Sequence, residues 1–429
     1  MLSVTHGRCY KGTIESPRDT ARYPQRDAAS RARASEIYRG SLICPVMNRG
    51  MKVSDRLQSV PMSGIRKMFD LAGPGSINLG LGEPDLDPPK EAVEGMNAAA
   101  LAGKNKYSPT AGIPELRKAV AERYSMYAGG LGAENVIITP SGSTALLEVS
   151  QSFVDPGDEV LVPSPGFVIY GPHAKLAGGK AVEYRLTEGD FQPDTDDIQS
   201  KITPSTKMIV VTNPSNPTGA VLTEETRNVL ADIAADKDVM ILSDEVYEPF
   251  IYEGKHQSFL PYLDRAVVVG GFSKMMAVTG WRLGFVISGP EQTDALIKMQ
   301  YHVCASPGMP AMYGVLNALP HIDPYLDNAR KIYRARRDLI TKRLNEVPGF
   351  SILPPKGAFY AFPSYDMDMK SADLAAELVK AGLICTPGSA FGTYGEGHLR
   401  FSYAASEEKI SKGMDILEST VRRIRREGA

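Results

Sequence analysis

Lys274 and Arg282 stand eight positions apart in the run Gly271-Phe272-Ser273-Lys274-Met275-Met276-Ala277-Val278-Thr279-Gly280-Trp281-Arg282. The apolar run Ala266-Val267-Val268-Val269 precedes it, and the small residues Gly270, Gly271 and Ser273 lead up to the lysine. A lysine entering a pocket off the end of a buried strand is costly unless its charge is used or its pKa is lowered. An amine held that way can form a Schiff base with an aldehyde. The later arginine can grip a phosphate with its planar fork. Pyridoxal 5′-phosphate offers both groups. The competing account is a surface lysine and a surface arginine on one loop.

Such a pair needs elements to position it. From about residue 90 to 310, short apolar runs alternate with helical patterns. Val136–Ile138, Glu159–Val162, Met208–Val211, Val239–Leu242 and Val267–Val269 read as buried strands. Thr144–Val154 and Glu224–Asp236 read as helices between them. Near-continuous apolar strands separated by helices predict an α/β fold, with a mainly parallel sheet covered on both faces. Ligands of such sheets sit beyond the carboxyl ends of the strands. After about 312 the pattern changes to long helices, around Pro324–Val347 and Ser406–Arg425, which predicts a second, smaller α+β domain. The division expected is an extension over 1–50, an N-terminal segment over 51–90 packing with the small domain, a large domain over 91–312, and a small one over 313–429.

The predicted strand ends carry further candidates. Ser141, Gly142 and Ser143 open a helix, where exposed backbone N–H groups and the dipole favour an anion; an ordinary N-cap is the plainer account. Phe167 can stack on an aromatic ring or simply fill the core. Asn213-Pro214-Ser215-Asn216-Pro217-Thr218-Gly219 fixes Asn216 in an extended turn, because the residue before each proline is pushed out of the helical region. Asp244, after Val239–Leu242, needs a cationic or N–H partner, and a protonated pyridine nitrogen is one. Tyr247, three residues on, can bring a phenol. Arg400 lies inside a strand pattern, where it can hold a carboxylate in bidentate fashion or pair with a structural acid.

Composition excludes several classes. The net charge of −2 offers no strong field to nucleic acid or an anionic membrane. No apolar run approaches the ~20 residues that span a bilayer. The four cysteines, Cys9, Cys44, Cys304 and Cys385, form no metal-ligand spacing, so no structural metal and no disulfide framework are expected. A reduced, cytoplasmic setting is the simplest account. Residues 1–46 carry Arg18, Arg22, Arg26, Arg31, Arg33 and Arg39 with little apolar periodicity and read as a non-core extension.

Taken in order, these residues resemble the class I/II aminotransferases, the fold type I pyridoxal-phosphate enzymes. The resemblance spans about Asp55 to Thr420. It is carried by Asn78–Asp85, Lys106–Gly112, Asn213–Gly219, Ser243–Tyr247, Phe272–Arg282 and Arg400. Ile65-Arg66-Lys67-Met68-Phe69-Asp70 is similar to the I-gamma subgroup of aspartate and aromatic aminotransferases.

The resemblance implies a seven-stranded, mainly parallel sheet and a role for each residue. Lys274 would hold the cofactor as a Schiff base and move the substrate proton. Asp244 would keep the pyridine nitrogen protonated. Asn216 and Tyr247 would bond its phenolic oxygen, and Phe167 would stack on the ring. Ser141, Gly142, Ser143, Ser273 and Arg282 would hold the phosphate. Tyr107 would reach the phosphate of a neighbouring subunit, implying a homodimer with shared sites. Arg400, with Asn216 and the Gly82 backbone, would bind the substrate carboxylate. Gly271 departs from a common pattern, since many relatives carry a serine there, which puts cofactor affinity in doubt.

The activity implied is amino-group transfer between an L-amino acid, aromatic or broad in range and possibly aspartate, and a 2-oxo acid such as 2-oxoglutarate. No arginine for a distal carboxylate stands in Met299–Pro307, and the Tyr301-His302 pair suits aromatic or mixed side chains. A Cβ–S lyase or an α-synthase would share Lys274, Asp244 and Arg400. A regulator with an aminotransferase-like sensor would need a DNA-binding helix-turn-helix, for which residues 1–50 are too short.

Overall fold

The computed structural model describes residues 52–60 and 73–427. The expected extension over 1–50 and the Ile65–Asp70 marker lie outside these residues.

A short strand, β1 (Ile77–Asn78), precedes the main sheet. The sheet is built from β2 (Val136–Thr139), β3 (Glu159–Ser164), β4 (Lys180–Arg185), β5 (Thr206–Thr212), β6 (Met240–Asp244), β7 (Ala266–Gly271) and β8 (Gly284–Ile287). Their spatial order is β2-β8-β7-β6-β5-β3-β4. Strands β3 to β7 pair in parallel, while β8 runs antiparallel to both β7 and β2. The expected α/β architecture with a mainly parallel seven-stranded sheet is therefore present.

The central strands are largely apolar because both faces are covered, while β4 at the sheet edge is half-exposed and carries Lys180, Glu183 and Arg185. In β7, Val268 packs into one hydrophobic cluster while Val267 and Val269 pack into the other. In β8, Phe285 and Ile287 face the first cluster and Val286 the second. With both sides buried, a period of two leaves no polar position in β7 or β8. Each fully buried aliphatic side chain contributes about 1.5–3 kcal/mol. Helices flank the sheet, and their ends follow local chemistry. Thr223 caps the helix Glu224–Lys237 by accepting from Thr226 N–H, and Asp238 ends it in the left-handed conformation.

A third hydrophobic cluster joins Leu79, Tyr247, Phe250 and Tyr252 to residues between Ala329 and Val421. Its helices are Asp323–Glu346, Ser371–Lys380 and Glu407–Glu427. The last of these buries Ile410, Met414, Leu417 and Val421, a spacing that keeps one helical face inward. Exposed pairs, Glu408 with Lys412 and Glu418 with Arg422, line its outer side. The short strands here are β9 (Phe350–Ser351), β10 (Tyr360–Ala361), β11 (Ser364–Tyr365), β12 (Leu383–Ile384), β13 (Thr386–Pro387) and β14 (Leu399–Ser402). β1 pairs in parallel with β12, so the N-terminal segment is stitched into this cluster. The helix Met309–Ala318 runs through residue 312, and its Met312, Val315 and Ala318 pack with the main sheet. No helix among the described residues is long and apolar enough to cross a membrane.

Candidate active site

A cavity of about 250 Å³ opens at the carboxyl ends of the parallel strands. Ser141, Gly142 and Ser143 reach it after β2, Phe167 and Tyr170 after β3, Asn216 after β5, Asp244 and Tyr247 at the end of β6, and Gly271, Ser273 and Lys274 after β7. Gly82, Arg282, Tyr360 and Arg400 also line it, with Leu81, Leu146, Val246 and Thr279. All of the sequence-predicted site residues except Tyr107 therefore converge on one cavity. Tyr107 does not line it and is 89 % exposed.

Ser141 is the N-cap of the helix Gly142–Phe153, its hydroxyl accepting from Thr144 N–H at 3.0 Å. The plainer account of Ser141 holds for its side chain. Its φ of 127° is a conformation that non-glycine residues rarely adopt. Such strain costs about 1–3 kcal/mol and clusters where a site dictates the backbone. It turns the helix N-terminus toward the cavity.

Lys274 sits in a single helical turn, Phe272–Met275, directly after β7. Its Nζ donates to the Gly82 carbonyl at 2.6 Å. Burial, followed by the nearby Arg282 and Arg400 charges, lowers its pKa to about 8 against the opposing pull of Glu83. A fraction of this amine is thus neutral and nucleophilic near neutral pH.

Asp244 is 3 % exposed and accepts from Tyr170 Oη at 2.7 Å and from Val246 N–H at 3.3 Å. No cation pairs with it among the described residues. Burial pushes its carboxyl up to about 6. A cationic ring nitrogen would supply the missing charge.

Arg400 is 2 % exposed, and no carboxylate pairs with it among the described residues. Its Nη1 donates to Asn216 Oδ1 at 2.9 Å, and its Nη2 to Gly80 O at 2.5 Å and Thr386 Oγ1 at 3.3 Å. Its Nε has no partner. The guanidinium lies over the Tyr360 and Phe391 rings, 4.6 and 4.8 Å from their centroids. The structural-acid account of Arg400 is excluded by this geometry. A buried guanidinium held only by neutral acceptors has charge left to meet an anion.

The remaining residues are placed as follows. Tyr247 shares a 2.6 Å hydrogen bond with Tyr360. Asn216 spends its carbonyl on Arg400, leaving its amide nitrogen without a protein partner among the described residues. Phe167 is half-buried, edge-on to Tyr170 at 5.8 Å. Arg282 is exposed at the mouth, in the left-handed conformation, and donates to Thr279 O. A Cβ built on Gly271 meets Val246 Cγ1 at 3.6 Å, an ordinary contact, so a serine would fit there.

Sequence reasoning missed Tyr170 and Tyr360. Tyr170 follows Phe167 by three residues and could have been weighed as a donor to Asp244. Tyr360 carried no local signal, because β10 is only two residues long.

The site thus offers an amine with a lowered pKa, a buried acid lacking a cation, a buried arginine lacking an anion, and a helix N-terminus. These donors fit pyridoxal phosphate and an amino acid together. The family model for class I and II aminotransferases matches residues 74–417. The chain belongs to that family. The family depends on pyridoxal phosphate, and the protein is an aminotransferase.

An aromatic-amino-acid aminotransferase of Thermococcus litoralis is 40 % identical over 386 residues, which are 87 % of this chain and 99 % of that one. An aspartate aminotransferase of Pyrococcus horikoshii is 38 % identical, over 86 % of this chain and 97 % of the other. Among solved structures, a mutant aspartate aminotransferase of Thermus thermophilus superposes with a TM-score of 0.83 at 36 % identity, covering 86 % of this aminotransferase and all of that chain.

Proposed function

We propose that this aminotransferase prefers aromatic amino acids within a broad range, with 2-oxoglutarate as an acceptor. The observation that carries the amino-acid assignment is Arg400, buried beside Asn216 with no acid of its own. The aromatic preference is supported by the name of the Thermococcus relative and by the absence of an arginine in Met299–Pro307. Tyr301, 62 % exposed, stands in that segment, with His302 edge-on to it.

The bound cofactor supplies an electron sink that stabilises negative charge on the substrate Cα. The residues of the chain do the rest. Arg400 would take the substrate carboxylate, replacing the anion it lacks. Lys274 Nζ would anchor the cofactor carbonyl, then accept the Cα proton and return it. Asp244 would hold the ring nitrogen as a cation, and Tyr170 would hold Asp244. Asn216 and Tyr247 would donate to the ring oxygen. Ser141, Gly142, Ser143, Ser273 and Arg282 surround the place proposed for the phosphate.

The 89 % exposure of Tyr107 supports its proposed reach into a second subunit, and with it a homodimer. The domain division is proposed with a large cofactor domain and a smaller C-terminal one, and a cytoplasmic setting goes with the free Cys304 and Cys385. A half-reaction screen tests the substrate assignment, following the cofactor's visible band with each of the twenty amino acids. Fastest loss with phenylalanine, tyrosine or tryptophan supports it; rapid loss with aspartate alone refutes it.

A further inference from the structure

A second cavity, of about 210 Å³, shares no lining residue with the active site and nearly matches it in size. One wall is aromatic. The Phe362 and His398 rings stack 4.8 Å apart at 3°, and Phe191 meets each of them edge-on at 5.9 Å. Phe191 is held at φ 53°, which a bulky residue adopts only under constraint. The floor is rigid. Gly219 packs so closely that a Cβ would come within 2.6 Å of Pro355 Cβ, and its carbonyl accepts from Gly357 N–H at 2.9 Å. Leu353, 67 % exposed, forms an apolar rim. Lys356 is the only lysine or arginine in the lining, and its ammonium has no ion pair among the described residues; Asp190, the one carboxylate of the lining, accepts from the Thr187 hydroxyl.

Aromatic walls beside one unpaired ammonium, with the Asp190 carboxylate turned to the Thr187 hydroxyl, fit a flat ring carrying a carboxylate. The cavity is also wired to the substrate site. Thr218 lies two residues after Asn216, Phe362 two after Tyr360, and His398 two before Arg400. Arg400 touches both Asn216 and Tyr360 at the proposed carboxylate end of the active site. β10 and β14, which pair with each other, lead from Tyr360 and Arg400 toward the second cavity.

We propose that this second cavity binds a small aromatic carboxylate and that its occupancy changes how tightly Arg400 holds the amino-acid substrate. A ligand against Thr218, Phe362 and His398 presses on three chain segments that fix the guanidinium. Coupling of this kind is reciprocal, so substrate changes the affinity of the second site by the same factor.

Titration calorimetry of the holoenzyme with 3-phenylpropanoate tests the proposal without relying on turnover. Two binding events per chain are expected. Lys356→Ala should weaken one of them about tenfold, the loss of one charge-assisted contact. Phe191→Gly, which tolerates the same backbone, should weaken the same event. Arg400→Ala should remove only the other event. Lys356→Ala should leave kcat and KM unchanged without the probe, and should abolish a severalfold part of the probe's effect on the amino-acid KM. A single binding event that is lost in Arg400→Ala and untouched by Lys356→Ala overturns the site. Two events with identical probe effects on KM in wild type and Lys356→Ala overturn the coupling.

Discussion

Arg400 Nη1 donates to Asn216 Oδ1 at 2.9 Å in the interior, and no carboxylate joins the pair among the described residues. The cost of burying that charge is met only by neutral oxygens and two aromatic rings. Arg400→Lys keeps the charge but loses the planar fork. It should raise the amino-acid KM by about 10²-fold, with the cofactor band unchanged; the effect corresponds to about 3 kcal/mol. Steady-state kinetics with an absorbance spectrum checks both halves of that statement.

Lys274 should set the pH dependence of cofactor loading. Only the neutral amine attacks the cofactor carbonyl. With the pKa lowered to about 8, the neutral fraction rises as pH increases through that value. Reconstitution of the cofactor-free protein should therefore speed up from pH 6 to pH 8 and level off above about 8.5. Stopped-flow absorbance would follow it, and a rate still climbing about tenfold between pH 8 and pH 9 would show an ordinary lysine.

Gly271 leaves room for a hydroxyl beside the place proposed for the phosphate. Because a Cβ there makes only an ordinary contact with Val246, Gly271→Ser should fold normally. One added charge-assisted hydrogen bond should tighten cofactor binding by at least about threefold. Equilibrium dialysis of the two proteins would measure it.

Glu148 lies on the helix that begins at Gly142, 1 % exposed, with both carboxylate oxygens unpartnered. Burial raises its pKa from 4.5 to about 8. The folded protein therefore holds a proton that the unfolded chain releases. The stability linked to it is full below pH 4.5 and is lost as pH rises through about 8. Glu148→Gln should flatten this dependence, gaining on the order of 4 kcal/mol over wild type at pH 9 relative to pH 5. Urea midpoints at the two pH values would test it.

Much of the cofactor end of the cavity was legible in the sequence, because it is built at the ends of long apolar strands. Lys274, Asp244, Asn216 and Ser141–Ser143 each follow such a run, and an α/β sheet brings strand ends together. β4 and β8 escaped notice. β4 is mostly half-exposed and charged, and β8 is only four residues long. Tyr360 escaped for a related reason. Its place depends on the pairing of β10 with β14, a contact between residues some forty positions apart that no local pattern encodes. Arg400 was visible as an arginine within a strand, but only its surroundings separate an anion receptor from a structural ion pair.

The most direct test of amino-group transfer is a single half-reaction without acceptor. The holoenzyme mixed with excess phenylalanine should lose its visible cofactor band and release one equivalent of 2-oxo acid per site, with no free ammonia. Adding 2-oxoglutarate should restore the band and yield glutamate. Lys274→Ala should do neither at a measurable rate. Continuous release of 2-oxo acid and ammonia in the absence of any acceptor would contradict the account.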